Sequence, residues 1–172
     1  MGESIRRVLL DSKTTQLRPL SELLLYYASR HQNLCQNVLP ALGEGKLVLC
    51  DRYADASMAY QGYGRGIDLA TIAELNRIAI SSRMPDLTIL IDIDPALSLG
   101  RARERNRHEV VDESRFEKES LEFYTRVRNG YLEMASQEPR RFRVLQGNQS
   151  IAALHQKIIE IVDSLLEKPN VA

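Results

Sequence analysis

Neither sign of charge is in excess over these 172 residues, because Lys plus Arg and Asp plus Glu both number 23. No overall field draws in a polyanion, so a general nucleic-acid-binding role loses support. No apolar run approaches the ~20 residues that a membrane span requires, and the start Met1-Gly2-Glu3-Ser4-Ile5-Arg6 resembles no signal peptide. The expectation is a soluble cytoplasmic protein with neither a membrane nor a nucleic acid as partner. Cysteine is scarce. Cys35 and Cys50 lie in apolar stretches without metal-ligand spacing, as expected of reduced core thiols. His31, His108 and His155 are scattered and no Gly-x-Ser-x-Gly elbow occurs, so zinc and hydrolase readings fall away. Also missing is Gly-x-x-x-x-Gly-Lys-Ser/Thr, the loop whose amides and lysine commonly cradle nucleotide phosphates. The nearest stretch, Gly43-Glu44-Gly45-Lys46-Leu47, has the wrong spacing, lacks the hydroxyl and precedes an apolar run, which makes it a turn.

What is present suits one domain with a continuous core, given 172 residues and 44% hydrophobic content. Helical periodicity predicts a first helix over 3–10 and a long helix from Pro19 towards Pro40, with Leu20, Leu23, Leu24, Tyr27, Leu34 and Val38 as its buried stripe. The run Leu47-Val48-Leu49-Cys50 predicts a strand, and 54–60 a short helix. Gly62-Tyr63-Gly64-Arg65-Gly66 matches no dinucleotide fingerprint and reads as a mobile, substrate-covering loop. A helix over 68–82 with Ile72, Leu75, Ile78 and Ala79 inward, a strand over 87–93, and a helix from Asp94-Pro95 follow. A polar excursion over 105–113, a helix over 115–135, a strand over 143–146 and a final helix complete the chain. Strands separated by helices imply parallel βαβ units.

Chemistry concentrates where the first apolar run ends at Asp51-Arg52-Tyr53. Beyond the carboxyl end of a parallel strand a carboxylate can hold a hydrated magnesium ion, and a guanidinium can grip phosphate oxygens. Tyr26 and Arg30, four apart, set an aromatic ring and a fork of donors on one side of a helix. Arg101, Arg103, Arg105, Arg107 and Arg115 fall within fifteen positions, a spacing that suits one small anion better than a duplex. Arg101 and Arg105 share one helical face, and Arg103 and Arg107 another. Bland readings stand beside each of these: an ion pair or helix cap for Asp51 and Arg52, core packing for Tyr26 and Tyr60, and a solvated basic face for the arginines.

Taken together, Asp51-Arg52-Tyr53, Ala59-Tyr60-Gln61-Gly62, Met84-Pro85-Asp86-Leu87-Thr88 and Asp92-Ile93-Asp94-Pro95 resemble the bacterial-type thymidylate kinases. Leu23-Leu24-Leu25-Tyr26-Tyr27-Ala28-Ser29-Arg30 and Ser120-Leu121-Glu122-Phe123-Tyr124, with Arg128 and Tyr131, fit the same family in the same order. The resemblance covers essentially the whole chain. It implies a parallel-sheet, three-layer αβα fold of the P-loop kinase kind, in one nucleotide-kinase domain over 1–172 with a lid-like segment at about 101–115. Relative to the family, the chain is expected to begin late, without the first strand, the phosphate loop, the first helix and the second strand.

The implied activity is transfer of the γ-phosphoryl group of ATP to dTMP, giving dTDP and ADP with Mg2+, in a homodimer. The same comparison implies impaired or absent ATP-dependent turnover for these residues alone. The alternatives are a non-catalytic nucleotide-binding remnant and a related kinase with different base choice. The implied roles are water-mediated Mg2+ binding by Asp51 and a grip on the acceptor phosphate by Arg52. Tyr26 and Arg30 would stack on and hydrogen-bond the base, while Ser57, Tyr60 and Gln61 line its pocket. A lid carrying Arg101, Arg103, Arg105 and Arg115 would give a guanidinium to the transferred group, with Arg101 and Arg105 ranked first as catalytic. One departure touches base selection: the family commonly has serine five positions after the aspartate, where this chain has Ala56 followed by Ser57.

Overall fold

The computed structural model describes residues 2–11, 17–106, 116 and 119–167. Helices α1 (Gly2–Leu10) and α2 (Pro19–Asn33) pack together, with Pro at the first turn of α2 where its missing N–H costs nothing. From α2 the helical path continues through a π-helical segment, Leu34–Val38, into α3 (Leu39–Gly43). Leu23, Tyr27 and Leu34 are buried, whereas Leu20 and Leu24, expected inside, are about half exposed.

The predicted strand at 47–50 carries no regular secondary structure, which corrects that expectation. A strand is held by a neighbour's ladder, and among the described residues no strand pairs with this run. Leu49 is left 96% exposed. Beyond the bend at Asp51 and Arg52, α4 (Ala54–Ser57) runs directly into a second π-helical segment, Met58–Gly64. The expected mobile glycine loop is therefore mostly helix: Gly62 and Gly64 are buried, and a Cβ on Gly64 would stand 2.6 Å from Phe123 Cε2. These glycines serve close approach, not flexibility.

Helix α5 (Leu69–Ile80) starts where the Asp68 carboxylate accepts from the Thr71 amide at 2.9 Å. Ile72 faces inward as expected, but Ile78 is 62% exposed. Strand β1 (Thr88–Asp92) leads into α6 (Pro95–Asn106), and α7 (Leu121–Gln137) follows with Ser120 capping the Phe123 amide. Strand β2 (Phe142–Gln146) pairs with β1 in parallel, Thr88 beside Phe142 and Asp92 beside Gln146. Helix α8 (Ile151–Leu166) ends the described chain and buries no residue fully.

The main core joins α7 to the second π-helical segment and to β2 through Ala59, Phe123, Val127, Met134, Ala135 and Phe142. A second cluster, Leu23, Tyr27 and Ile72, locks α2 to α5. There the Tyr27 hydroxyl shares its one proton between Asn76 Oδ1 at 2.9 Å and the Ile72 carbonyl at 3.2 Å, and burial pushes the phenol up to about 12. Cys35 and Cys50 are free thiols and both exposed, so they are not the core residues expected. The result is a helix-rich α/β arrangement around a parallel sheet.

Candidate active site

A cleft of about 1150 Å³ opens at the carboxyl ends of β1 and β2, where Ile91, Ile93 and Gly147 reach its wall. This is the end at which open parallel sheets bind ligands, and the volume exceeds the ~300–1,000 Å³ of an ordinary small-molecule site. Tyr26, Arg30, Asp51, Arg52, Ser57, Tyr60, Gln61 and Arg101 all line it. The side chains of Arg103 and Arg105, though their backbone lies in α6, and the whole of Arg107 and Arg115 fall outside the described residues. Arg101 is exposed, and its Nη1 donates to the Gly147 carbonyl at 3.4 Å, which ties α6 to the end of β2.

Arg52 carries a left-handed backbone, φ 61°, a conformation that costs a non-glycine residue about 1–3 kcal/mol. That turn throws its guanidinium over the Tyr60 ring, with Cζ 5.1 Å from the centroid. Removal from water works against the charge, but Tyr60, Tyr131 and Asp51 more than offset it, and the net shift is upward. Tyr60 stands edge-on to Phe116, Phe123 and Tyr131 at 5.7, 6.1 and 6.5 Å. It is thus both a packed aromatic and part of the cleft wall. The Asp51 carboxylate lies exposed beside Arg52.

Across the cleft, Arg30 Nη2 donates to the Tyr53 carbonyl at 3.0 Å and to Ser57 Oγ at 2.9 Å. Its other terminal nitrogen, Nη1, is buried without a partner. Burial holds this guanidinium below its usual value, although the surrounding phenols favour the charge. An unmet buried donor on a cation is costly, and here the guanidinium also lies over the Tyr27 and Tyr53 rings, 4.8 and 5.8 Å from their centroids. Gln61 is 2% exposed, and its Nε2 donates to Glu22 Oε1 at 2.8 Å.

Further residues, not singled out by sequence, shape the site. Arg141 forks onto Asp55 at 2.6 and 2.8 Å and also reaches Glu138, while Asp55 accepts from Thr88 Oγ1. This buried network fastens α4, and with it Asp51 and Arg52, to the start of the sheet. Glu22, on α2, is fully buried and accepts from Gln61. Its spacing of four from Tyr26 and eight from Arg30 was the available signal. Among the described residues no group of three His, Cys, Asp or Glu could hold a metal ion, so any cation here would rest on Asp51, water and ligand oxygens. That donor set suits magnesium.

The thymidylate kinase family model matches residues 1–158. The chain is 47% identical over 170 residues to the thymidylate kinase of Trichlorobacter lovleyi, covering 98% of this chain and 80% of that one. With the thymidylate kinase of Solidesulfovibrio magneticus it shares 44% over 168 residues, covering 96% and 80%. The crystal structure of thymidylate kinase from Ehrlichia chaffeensis superposes with a TM-score of 0.71 at 34% identity, covering 94% of this chain and 72% of that one. By sequence and by fold, the chain belongs to the thymidylate kinase family.

Proposed function

We propose that the cleft is the acceptor site of a dTMP kinase, holding dTMP for receipt of the γ-phosphoryl group of ATP and yielding dTDP and ADP. The observation that carries this reading is the buried, unpartnered Nη1 of Arg30 in the same cleft as Arg52. One guanidinium offers a donor to a base carbonyl, and the other offers a fork to a monophosphate. Tyr26, four residues before Arg30, supplies the stacking ring, and Ser57, Tyr60 and Gln61 close the pocket. Asp51 would hold Mg2+ through water, and the ion when bound would screen phosphate charge. Arg101 is the described lid arginine nearest this role; Arg103, Arg105 and Arg115 complete the proposed lid. The working protein is a cytoplasmic homodimer in this reading.

The donor half is different. No Gly-x-x-x-x-Gly-Lys-Ser/Thr occurs in the 172 residues, and phosphoryl transfer depends on aligned amides and cations around the donor phosphates. Residues 1–172 alone therefore bind dTMP with little or no ATP-dependent turnover, a nucleotide-binding behaviour close to the second reading. An ADP-release assay with dTMP, ATP and Mg2+ tests both halves of the statement. The chain alone should release little ADP, and a chimera with a strand, a Gly-x-x-x-x-Gly-Lys-Ser/Thr loop and a helix fused ahead of residue 1 should turn over. Rapid release by the chain alone, abolished by Arg52→Ala, would contradict the division. A folded chimera that binds ATP yet ignores dTMP would contradict the acceptor assignment.

A further inference from the structure

Three side chains of α2 project from one face at intervals of four: Glu22, Tyr26 and Arg30. On the facing helical segment Ser57 and Gln61 are likewise four apart. Two polar rungs join the faces in opposite order along the two segments: Glu22 with Gln61 at 2.8 Å, and Arg30 with Ser57 at 2.9 Å. Tyr26 lies between the rungs in sequence and in the cleft wall.

The first rung has a chemical consequence. A carboxylate only accepts, so it can pair with one end of a carboxamide and not with the other. Glu22 is 0% exposed and is itself held by Arg65, whose Nε and Nη2 donate to its two oxygens at 3.4 Å. Arg65 is anchored in turn by Glu119 at 2.6 Å. Both Glu22 oxygens thus accept from Arg65, and Gln61 turns its NH2 towards Oε1. With its NH2 engaged there, the amide oxygen is the end of Gln61 that this pairing leaves for the cleft the residue lines.

We propose that Glu22 is a positioning residue for base selection: by locking the Gln61 carboxamide it makes that side chain an acceptor in the cleft, opposite in polarity to the unpartnered donor of Arg30. An acceptor beside a donor complements the imide edge of a 4-keto pyrimidine, which presents N3–H and a carbonyl. It rejects the 4-amino edge, which presents a bare ring nitrogen and an NH2. This rests on the acceptor-site reading above and adds to it how the 4-keto edge is chosen despite Ala56.

Calorimetric titration of the full chain with dTMP and with 5-methyl-dCMP, which differ only at that edge, tests the idea. The wild type should prefer dTMP by about a hundredfold or more. Glu22→Gln lets the Gln61 amide flip, so the preference should fall about tenfold or more. Should Glu22→Gln fail to give the wild-type circular dichroism spectrum, Gln61→Met replaces it: a lost preference supports the assignment and a retained one overturns it. Wild-type preference in a folded Glu22→Gln protein overturns the role of Glu22 while leaving dTMP binding intact. A wild type that binds neither nucleotide removes the acceptor-site reading and this inference with it.

Discussion

A guanidinium with one buried nitrogen unmet, as in Arg30, is arranged for something other than the stability of the empty fold. Arg30→Met removes the donor and the buried charge together. A hydrogen bond to a charged group is worth about 1.5–3 kcal/mol, so the Kd for dTMP should rise about tenfold to a hundredfold. Thermal stability should change little, because the bonds to Tyr53 and Ser57 lost with the guanidinium are offset by removing its buried, unmet nitrogen. Calorimetry and a melting curve on the same sample read the two effects. A melting temperature that collapses while affinity stays put would mean that Arg30 is a structural residue.

Asp92, at the end of β1, illustrates a different use of the same chemistry. Arg128 forks onto it at 2.6 and 2.8 Å. Those bonds hold its carboxyl below the usual carboxylate range, with burial opposing. A depressed folded-state value contributes stability above the unfolded value of 3.8 and loses it as pH falls through the folded one. Arg128→Met should therefore cost about 1–2 kcal/mol at pH 7, a figure discounted for the half-exposed arginine. The gap between variant and wild type should close below about pH 4 in urea titrations. A gap independent of pH would show that Arg128 acts through packing.

Among elements, α4 is four residues long and does not hold Asp51 and Arg52 in place by itself. The Asp55–Arg141 fork does so, with both side chains about nine-tenths buried. Arg141→Met leaves Asp55 charged and alone in the interior, which should cost about 3–5 kcal/mol. The double variant Asp55→Leu/Arg141→Met should recover much of that loss in denaturant melts, yet it should bind dTMP weakly, because the Arg52 turn has lost its tether. Equal instability in the single and double variants would contradict this account of the network.

The helices were legible because 3.6-residue periodicity is local: α5, α7 and α8 fall close to where Ile72, Val127 and Ile158 recur. Caps sharpened the starts, as at Asp68 and Ser120. The misreadings were of two physical kinds. Leu47 to Cys50 has strand composition, but pairing is a property of two segments, and one sequence pattern cannot supply the partner. Gly62 and Gly64 read as flexibility, whereas Leu69 and Phe123 approach them so closely that a Cβ has no room.

At the scale of the whole molecule, separate stretches of sequence meet in one cleft. Tyr26 and Arg30 come from α2, Asp51 to Gln61 from the bend and helical turns after the apolar run, and Arg101 from α6. Residue identities and order made that set readable in advance. What tethers it was not readable: Glu22 to Gln61 spans 39 positions and Asp55 to Arg141 spans 86, and neither pair shares a local spacing. Exposed Cys35 and Cys50 add the same lesson, since apolar neighbours in sequence do not guarantee burial in space.

The central claim is that the cleft around Arg30 and Arg52 receives a thymidine monophosphate. Calorimetric titration of dTMP, with thymidine as a phosphate-free control, into wild type and Arg52→Ala tests it most directly. The account predicts saturable one-to-one binding of dTMP by the wild type, weaker binding of thymidine, and for Arg52→Ala a dTMP affinity reduced to the level of thymidine. Equal affinity of wild type and Arg52→Ala for dTMP, or no heat from the wild type at all, would contradict it.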